Sequence, residues 1–164
     1  MTRRWISDAS PLIALAKAGA AHLLADLPDE LLIPNEVAAE IAAGPPEDPA
    51  RRLLEAGFGV RRSPSSVPSR LAERGLGRGE TAVLALALEI ESTVVLDDAA
   101  ARRCAAALRL PLIGTVGVIL QAKRAGAIAS AAEVFSALRR AGARMDDEMV
   151  RVALASVGER PADF

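Results

Sequence analysis

The sequence predicts an α/β fold in which a short, mostly parallel sheet carries helices on both faces. Three observations carry that expectation. Short apolar runs of strand length alternate along the chain with longer Ala/Leu-rich stretches of helical period. Several of these runs stop abruptly at Asp8, Pro34 or Asp97-Asp98, and a helical stretch follows. The 164 residues are 51% hydrophobic, which suits one compact domain, 1–164, with a core of its own, since domains run to about 100 to 200 residues.

Taken in order, Arg4 to Ser7 is the first strand. Asp8 stands at its carboxyl tip, and Ser10-Pro11 reads as an N-cap and first-turn pair opening a helix that ends at Gly19. Leu31 to Ile33 is the second strand and Asn35 to Ala43 a helix, with Val37, Glu40 and Ile41 spaced three to four apart; Gly44-Pro45-Pro46 stops it. Residues 49–56 read as a helix, 58–62 as a short strand or extended segment, and 63–69 (SPSSVPS) as a loop. Gly75 to Gly79 is expected to be a flexible turn before the strongly apolar helix GETAVLALALEI, with Glu80 in its first turn. Thr93 to Leu96 is a strand ending in Asp97-Asp98, and AAARRCAAALR a helix. Leu112-Ile113 is a strand, Thr115 a cap for GVILQAKRAG, and residues 130–141 and 146–156 are two closing helices. That makes four or five parallel strands. In such sheets sites form outside the carboxyl ends of the strands, near the switch in strand order, where Asp8 and Asp97-Asp98 both fall.

Composition narrows the chemistry. With 20 Lys+Arg against 21 Asp+Glu, sheer net charge does not drive the protein onto nucleic acid or membrane. Eighteen of the basic residues are Arg, which reflects base composition more readily than function. One Cys and one His supply neither a disulfide nor a Cys- or His-based metal site. Asp8, Pro11 and Lys17 interrupt the first apolar stretch, so it does not read as a secretory signal. No run approaches 18 apolar residues. A cytoplasmic protein is expected.

What remains is hard oxygen chemistry. Asp8, Glu40, Glu80 and the pair Asp97-Asp98 all fall where a parallel sheet presents its site. Carboxylates gathered there repel one another unless a cation stands between them. Mg²⁺ or Mn²⁺ takes such ligands, and phosphodiester hydrolysis is the chemistry those ions support. Asp8, Glu40, Glu80 and Asp98 are the candidate catalytic residues; Asp8, Glu80, Asp97 and Asp98 are the candidate metal ligands. Ser10, Arg78, Arg102 and Arg103 are candidate contacts to a nucleic-acid backbone. Only 2% of the chain is aromatic, so base stacking has little to work with. Each residue also has an ordinary structural explanation. Asp8, Ser10 and Asp97-Asp98 can serve as turn or cap residues, Glu80 as a favourable charge on its helix dipole, and Glu40 and the arginines as solvated faces. His22 reads as structural and Cys104 as a small buried residue.

Five blocks resemble the PIN-domain superfamily in order and spacing: SDASPLIALAKAG (7–19), IPNEVAAEI (33–41), LGRGETAVLALALE (76–89), VVLDDAAARRCA (94–105) and LPLIGTVGVILQAKRAG (110–126). The resemblance is to a prokaryotic branch related to VapC-type toxins. It implies a three-layer α/β/α sandwich, Mg²⁺- or Mn²⁺-dependent ribonuclease activity, a homodimer and a cognate antitoxin. By position Asp8 matches the first family acid and Ser10 the small polar residue after it. Glu40 matches the acid of the helix after the second strand, and Asp98 or Asp97 the last acid. Glu80 stands where toxin-type members usually carry Asp, and Leu96 where they carry Thr or Ser. Two other readings compete: a phosphoacceptor or phosphatase domain assisted by Thr115 and Lys123, and an inactive PIN-like binding module.

Overall fold

The computed structural model describes residues 1–160, so the last residues of the domain expected over 1–164 lie outside the described part. The strands are β1 (Arg4–Ser7), β2 (Glu30–Ile33), β3 (Val60–Arg61), β4 (Thr93–Val95) and β5 (Leu112–Ile113). The helices are α1 (Ala9–Lys17), α2 (Leu23–Asp26), α3 (Asn35–Ala42), α4 (Pro49–Glu55), α5 (Ser69–Ala72), α6 (Arg78–Glu89), α7 (Ala99–Ala107), α8 (Thr115–Arg124), α9 (Ala131–Arg140) and α10 (Asp147–Ser156). The sheet is parallel throughout, in the order β3-β2-β1-β4-β5, and the architecture is the expected three-layer α/β/α sandwich.

That order places the site. The chain builds β1, β2 and β3 outward in one direction, then returns to lay β4 and β5 on the other side of β1. The reversal falls between β1 and β4, where Ile6 pairs with Val94 and Ser7 with Val95. Connections leaving two neighbouring strands in opposite directions open a crevice beyond their carboxyl ends. The residues following those strands are Asp8 and Leu96-Asp97.

The strands are short, but Ile6, Leu32, Ile33, Val94 and Val95 are fully buried, as expected of a sheet covered on both faces. α6 lies against β1, β4 and α3, and α1 touches α3, α4, α8 and α9. With few aromatic residues to fill space, branched aliphatics and alanines build the core, joined by buried Trp5 and Phe135. Cys104 is buried in α7, as expected.

Several boundaries differ from the sequence expectation. Asp8, not Ser10, occupies the N-cap position of α1, and Ser10 is the helix's second residue. The backbone turns helical immediately after the strand, so Pro11 sits in the first turn, where its missing N–H costs nothing. The turn expected over Gly75 to Gly79 is shorter, because α6 already begins at Arg78 and Gly79 lies inside it. Thr115 is the first residue of α8 and does not cap it; Gly114 holds the cap position. The Ala/Leu helix expected to contain His22 is the single turn α2, which begins one residue after it, and the single-turn helix α5 was not anticipated. Exposed His22 stands just before α2.

Candidate active site

Asp8 is the centre of the arrangement. Its backbone N–H donates to the Val95 carbonyl at 3.1 Å, fastening the end of β1 to β4. The Ser7 hydroxyl donates to the Asp8 carbonyl at 2.9 Å. Its residue surface is only 3% exposed. Although it occupies the N-cap position of α1, its side chain makes no capping hydrogen bond. Its Oδ1 is buried without a hydrogen-bond partner among the described residues. Burial pushes its carboxyl up from the ordinary 3.8 to about 7; the Ala9 N–H pulls the other way, and the charges of Glu80, Glu40 and Asp97 push it up further. A buried carboxylate oxygen with nothing to accept from is costly and rare. Here the charges of three more carboxylates act on it.

Glu40 reaches the centre from α3. Val37 and Ile41 are buried and hold that helix against its neighbours, and the spacing of three from Val37 carries Glu40 along the same side. The approach is made over Gly79. A Cβ placed there would stand 2.6 Å from Glu40 Oε2, 3.3 Å from Asp8 Oδ1 and 3.4 Å from Val37 Cγ2. Gly79 is thus the point where α6 yields room for two carboxylates from other elements.

Glu80 is half-buried in the first turn of α6, and its Oε2 accepts the Gly77 N–H at 3.1 Å. It therefore closes one arm of a capping box while adding its charge to the field at Asp8. The two acids after β4 separate. Asp98 is the N-cap of α7, with its Oδ2 accepting the Ala101 N–H at 2.9 Å. Asp97 turns to α8: its Oδ1 accepts the Thr115 N–H at 2.8 Å and its Oδ2 the Thr115 hydroxyl at 2.5 Å. Of the two, it is Asp97 whose charge acts on Asp8.

The expected backbone contacts divide as well. Arg78, exposed at the start of α6, lines a cavity of about 610 Å³ with Asn35, Glu36, Glu40 and Glu80. Arg102 is drawn inward, its Nη1 donating to the Leu96 carbonyl at 2.8 Å, so it braces the exit of β4. Arg103 is exposed. Ser10 is not brought into the acidic group; it is exposed and lines a separate shallow recess of about 230 Å³ with Lys17 and the end of α9. Lys123 donates to the Ala129 carbonyl at 2.5 Å, and Thr115 donates to Asp97. The lysine a phosphoacceptor aspartate needs is therefore committed elsewhere.

Among the described residues no three acidic, His or Cys side chains stand close enough, as placed, to enclose a metal ion. The donors nevertheless suit a hard divalent cation. An orphaned Asp8 oxygen and the nearby Glu40 carboxylate are the kind of pair through which Mg²⁺ is held, because that ion binds one or two carboxylates and keeps several waters. Sequence reasoning missed Thr115 as a partner of the acids and Gly79 as their meeting point. A sequence model of one protein family, described as a PIN domain, matches residues 4–159. No curated protein matches the chain.

Proposed function

The chain belongs to the PIN-domain family, and from that premise we propose that it is a Mg²⁺- or Mn²⁺-dependent endoribonuclease hydrolysing RNA phosphodiester bonds at the acidic group around Asp8. PIN domains are generally nucleases that use divalent metal ions. The observation that carries the reading is the unpartnered, buried Asp8 oxygen at the sheet's switch point, set in the field of Glu40, Glu80 and Asp97.

Asp8 and Glu40 would hold the ion, with Glu80 and Asp97 completing the negative field around it. A bound divalent ion supplies water activation and stabilises the charge that builds on the phosphate and the departing oxygen. The residues themselves do the positioning. Gly79 keeps the space between Asp8 and Glu40 open. Asp97 is the fourth acid we assign, because of the two acids after β4 it is the one whose charge acts on Asp8. Arg78 offers its guanidinium to a strand phosphate in the adjoining cavity, and Arg103, exposed on α7, is a second candidate contact.

The same reading makes the protein, as one cytoplasmic domain spanning the chain, a homodimeric toxin restrained by an antitoxin. An antitoxin segment with an Arg laid toward Asp8 and Glu40 would neutralise the acids and exclude RNA. Its support is the five-block resemblance to a PIN-domain branch related to VapC-type toxins, together with the local surplus of carboxylates.

The direct test incubates a 5′-labelled structured RNA with the protein in Mn²⁺ and, separately, in EDTA. Cleavage in Mn²⁺ that EDTA abolishes is expected. Cleavage persisting in EDTA contradicts the metal requirement, and intact RNA in every divalent ion tried contradicts the activity. Arg78→Ala is expected to weaken RNA binding several-fold and lower the salt slope of log K by about 1, with kcat unchanged, as for a phosphate contact. Filter binding between 50 and 200 mM salt, roughly the range over which such contacts are screened, checks this.

A further inference from the structure

We propose that Thr115 is a positioning residue for the reaction, fixing the Asp97 carboxylate from the N-terminus of α8, whereas Leu96, the residue just before that acid, offers no hydroxyl. The inference rests on the metal-dependent nuclease reading above and names a residue that reading does not require.

Thr115 is only 8% exposed and binds Asp97 with both its donors, N–H to Oδ1 at 2.8 Å and hydroxyl to Oδ2 at 2.5 Å. Two bonds from one rigid, β-branched residue fix a carboxylate's plane as well as its position, whereas one bond leaves it free to rotate. An ionised carboxylate has about four acceptor sites, so both oxygens remain able to face the acidic group. The helix geometry adds to this. α8 runs for ten residues, and its N-cap Gly114 supplies no side-chain acceptor, so Asp97, reaching from 18 residues upstream, takes the first free N–H.

The surroundings allow little slack. A Cβ on Gly114 would stand 3.0 Å from Asp97 Oδ1, 2.8 Å from Arg102 Nη1 and 3.4 Å from the Leu96 carbonyl oxygen. Arg102 holds that same carbonyl at 2.8 Å. Residue 96 is a fully buried Leu pointing into the core, so the hydroxyl that orients this acid comes from α8. A purely structural clip between β4 and α8 would use the same two bonds; what separates the readings is whether loss of the hydroxyl is felt through Asp97 at the metal.

The experiment compares the full chain as wild type, Thr115→Val, Thr115→Ser, Asp97→Asn and the Asp97→Asn/Thr115→Val double variant. Mn²⁺ affinity is measured by titration, and kcat and KM on a cleaved RNA. Removal of such a supporting hydrogen bond typically costs about 10- to 100-fold in metal affinity or activity. Thr115→Val is expected to lose that much in Mn²⁺ affinity or kcat with KM for RNA within about twofold, and Thr115→Ser to recover most of it. In the Asp97→Asn background Thr115→Val is expected to add nothing, since a residue acting through another is silent once that other is gone. Thr115→Val matching wild type, Thr115→Ser failing as badly as Val, or an equal further loss in the Asp97→Asn background each overturns the inference. If Val does not fold, Thr115→Ala carries the same comparison. Wild type that binds no Mn²⁺ fails at the earlier reading and takes this one with it, an outcome distinct from the other three.

Discussion

Asp8→Asn is expected to abolish RNA cleavage, by about a thousand-fold or more, and at the same time to make the metal-free protein more stable at neutral and alkaline pH. The loss of activity follows from removing a charge that the ion needs, at about 1.4 kcal/mol per decade of rate. The gain in stability follows from linkage. In the folded state burial holds the Asp8 carboxyl near 7, against an ordinary 3.8. The folded protein therefore binds more protons than the unfolded chain between these values, and stability falls as pH rises through that window. What the neutral acid contributes is fully present below about 3.8 and lost by about 7. At roughly 1.4 kcal/mol per unit, the wild type at pH 8 carries a penalty on the order of 2 to 4 kcal/mol that Asn, never ionised, does not. Thermal melts of both proteins in EDTA from pH 4 to 8 check it: the variant's advantage is expected to grow with pH. Equal melting curves across the range would show that Asp8 is not held as the structure has it. Added Mn²⁺ is expected to raise the melting temperature of wild type and leave the variant unmoved.

Gly79→Ala is expected to separate fold from function in the opposite sense to most core substitutions. Gly79 is helical, at no unusual φ, so Ala fits the backbone and gains up to about 1 kcal/mol of helix propensity. Its methyl group would meet Glu40 Oε2 at 2.6 Å. That oxygen ends an exposed, flexible side chain, so it swings aside at little cost to folding. Its displacement takes a carboxylate from Asp8 and fills the space between them. Cleavage and Mn²⁺ affinity are expected to fall about 10- to 100-fold, the loss typical when a metal site's supporting shell is disturbed, while the melting temperature stays level or rises. Wild-type cleavage by Gly79→Ala would mean Glu40 has no part in the reaction.

Much of this was legible from residue order alone. The alternation of short apolar runs with helical stretches specified a parallel sheet, and the rule that sites gather beyond strand carboxyl ends singled out Asp8 and the acids after β4. What local pattern does not carry is which of two adjacent side chains turns which way. Asp97 and Asp98 follow the same strand. One caps the helix that begins beside it; the other finds Thr115, 18 residues downstream, a contact that exists only once β5 has paired with β4. Thr115 itself looks like a helix start whether its hydroxyl caps or serves another element. Ser10 before Pro11 has the composition of an N-cap, yet the chain turns helical one residue after β1 ends and leaves Ser10 on the far side. The glycines at 75–79 read as a turn because Gly is a poor helix former, whereas Gly79 lies inside α6, where the Glu40 and Asp8 carboxylates crowd the place a Cβ would take.

The central claim is that these carboxylates hold a divalent cation through Asp8. The measurement that meets it most directly is titration of Mn²⁺ into wild type and Asp8→Asn at pH 7.5, followed by the electron paramagnetic resonance of free Mn²⁺. Saturable binding to wild type, lost in Asp8→Asn while that variant keeps its folded circular dichroism, is the expected result. Equal Mn²⁺ binding by the two proteins, or none by either, would contradict it.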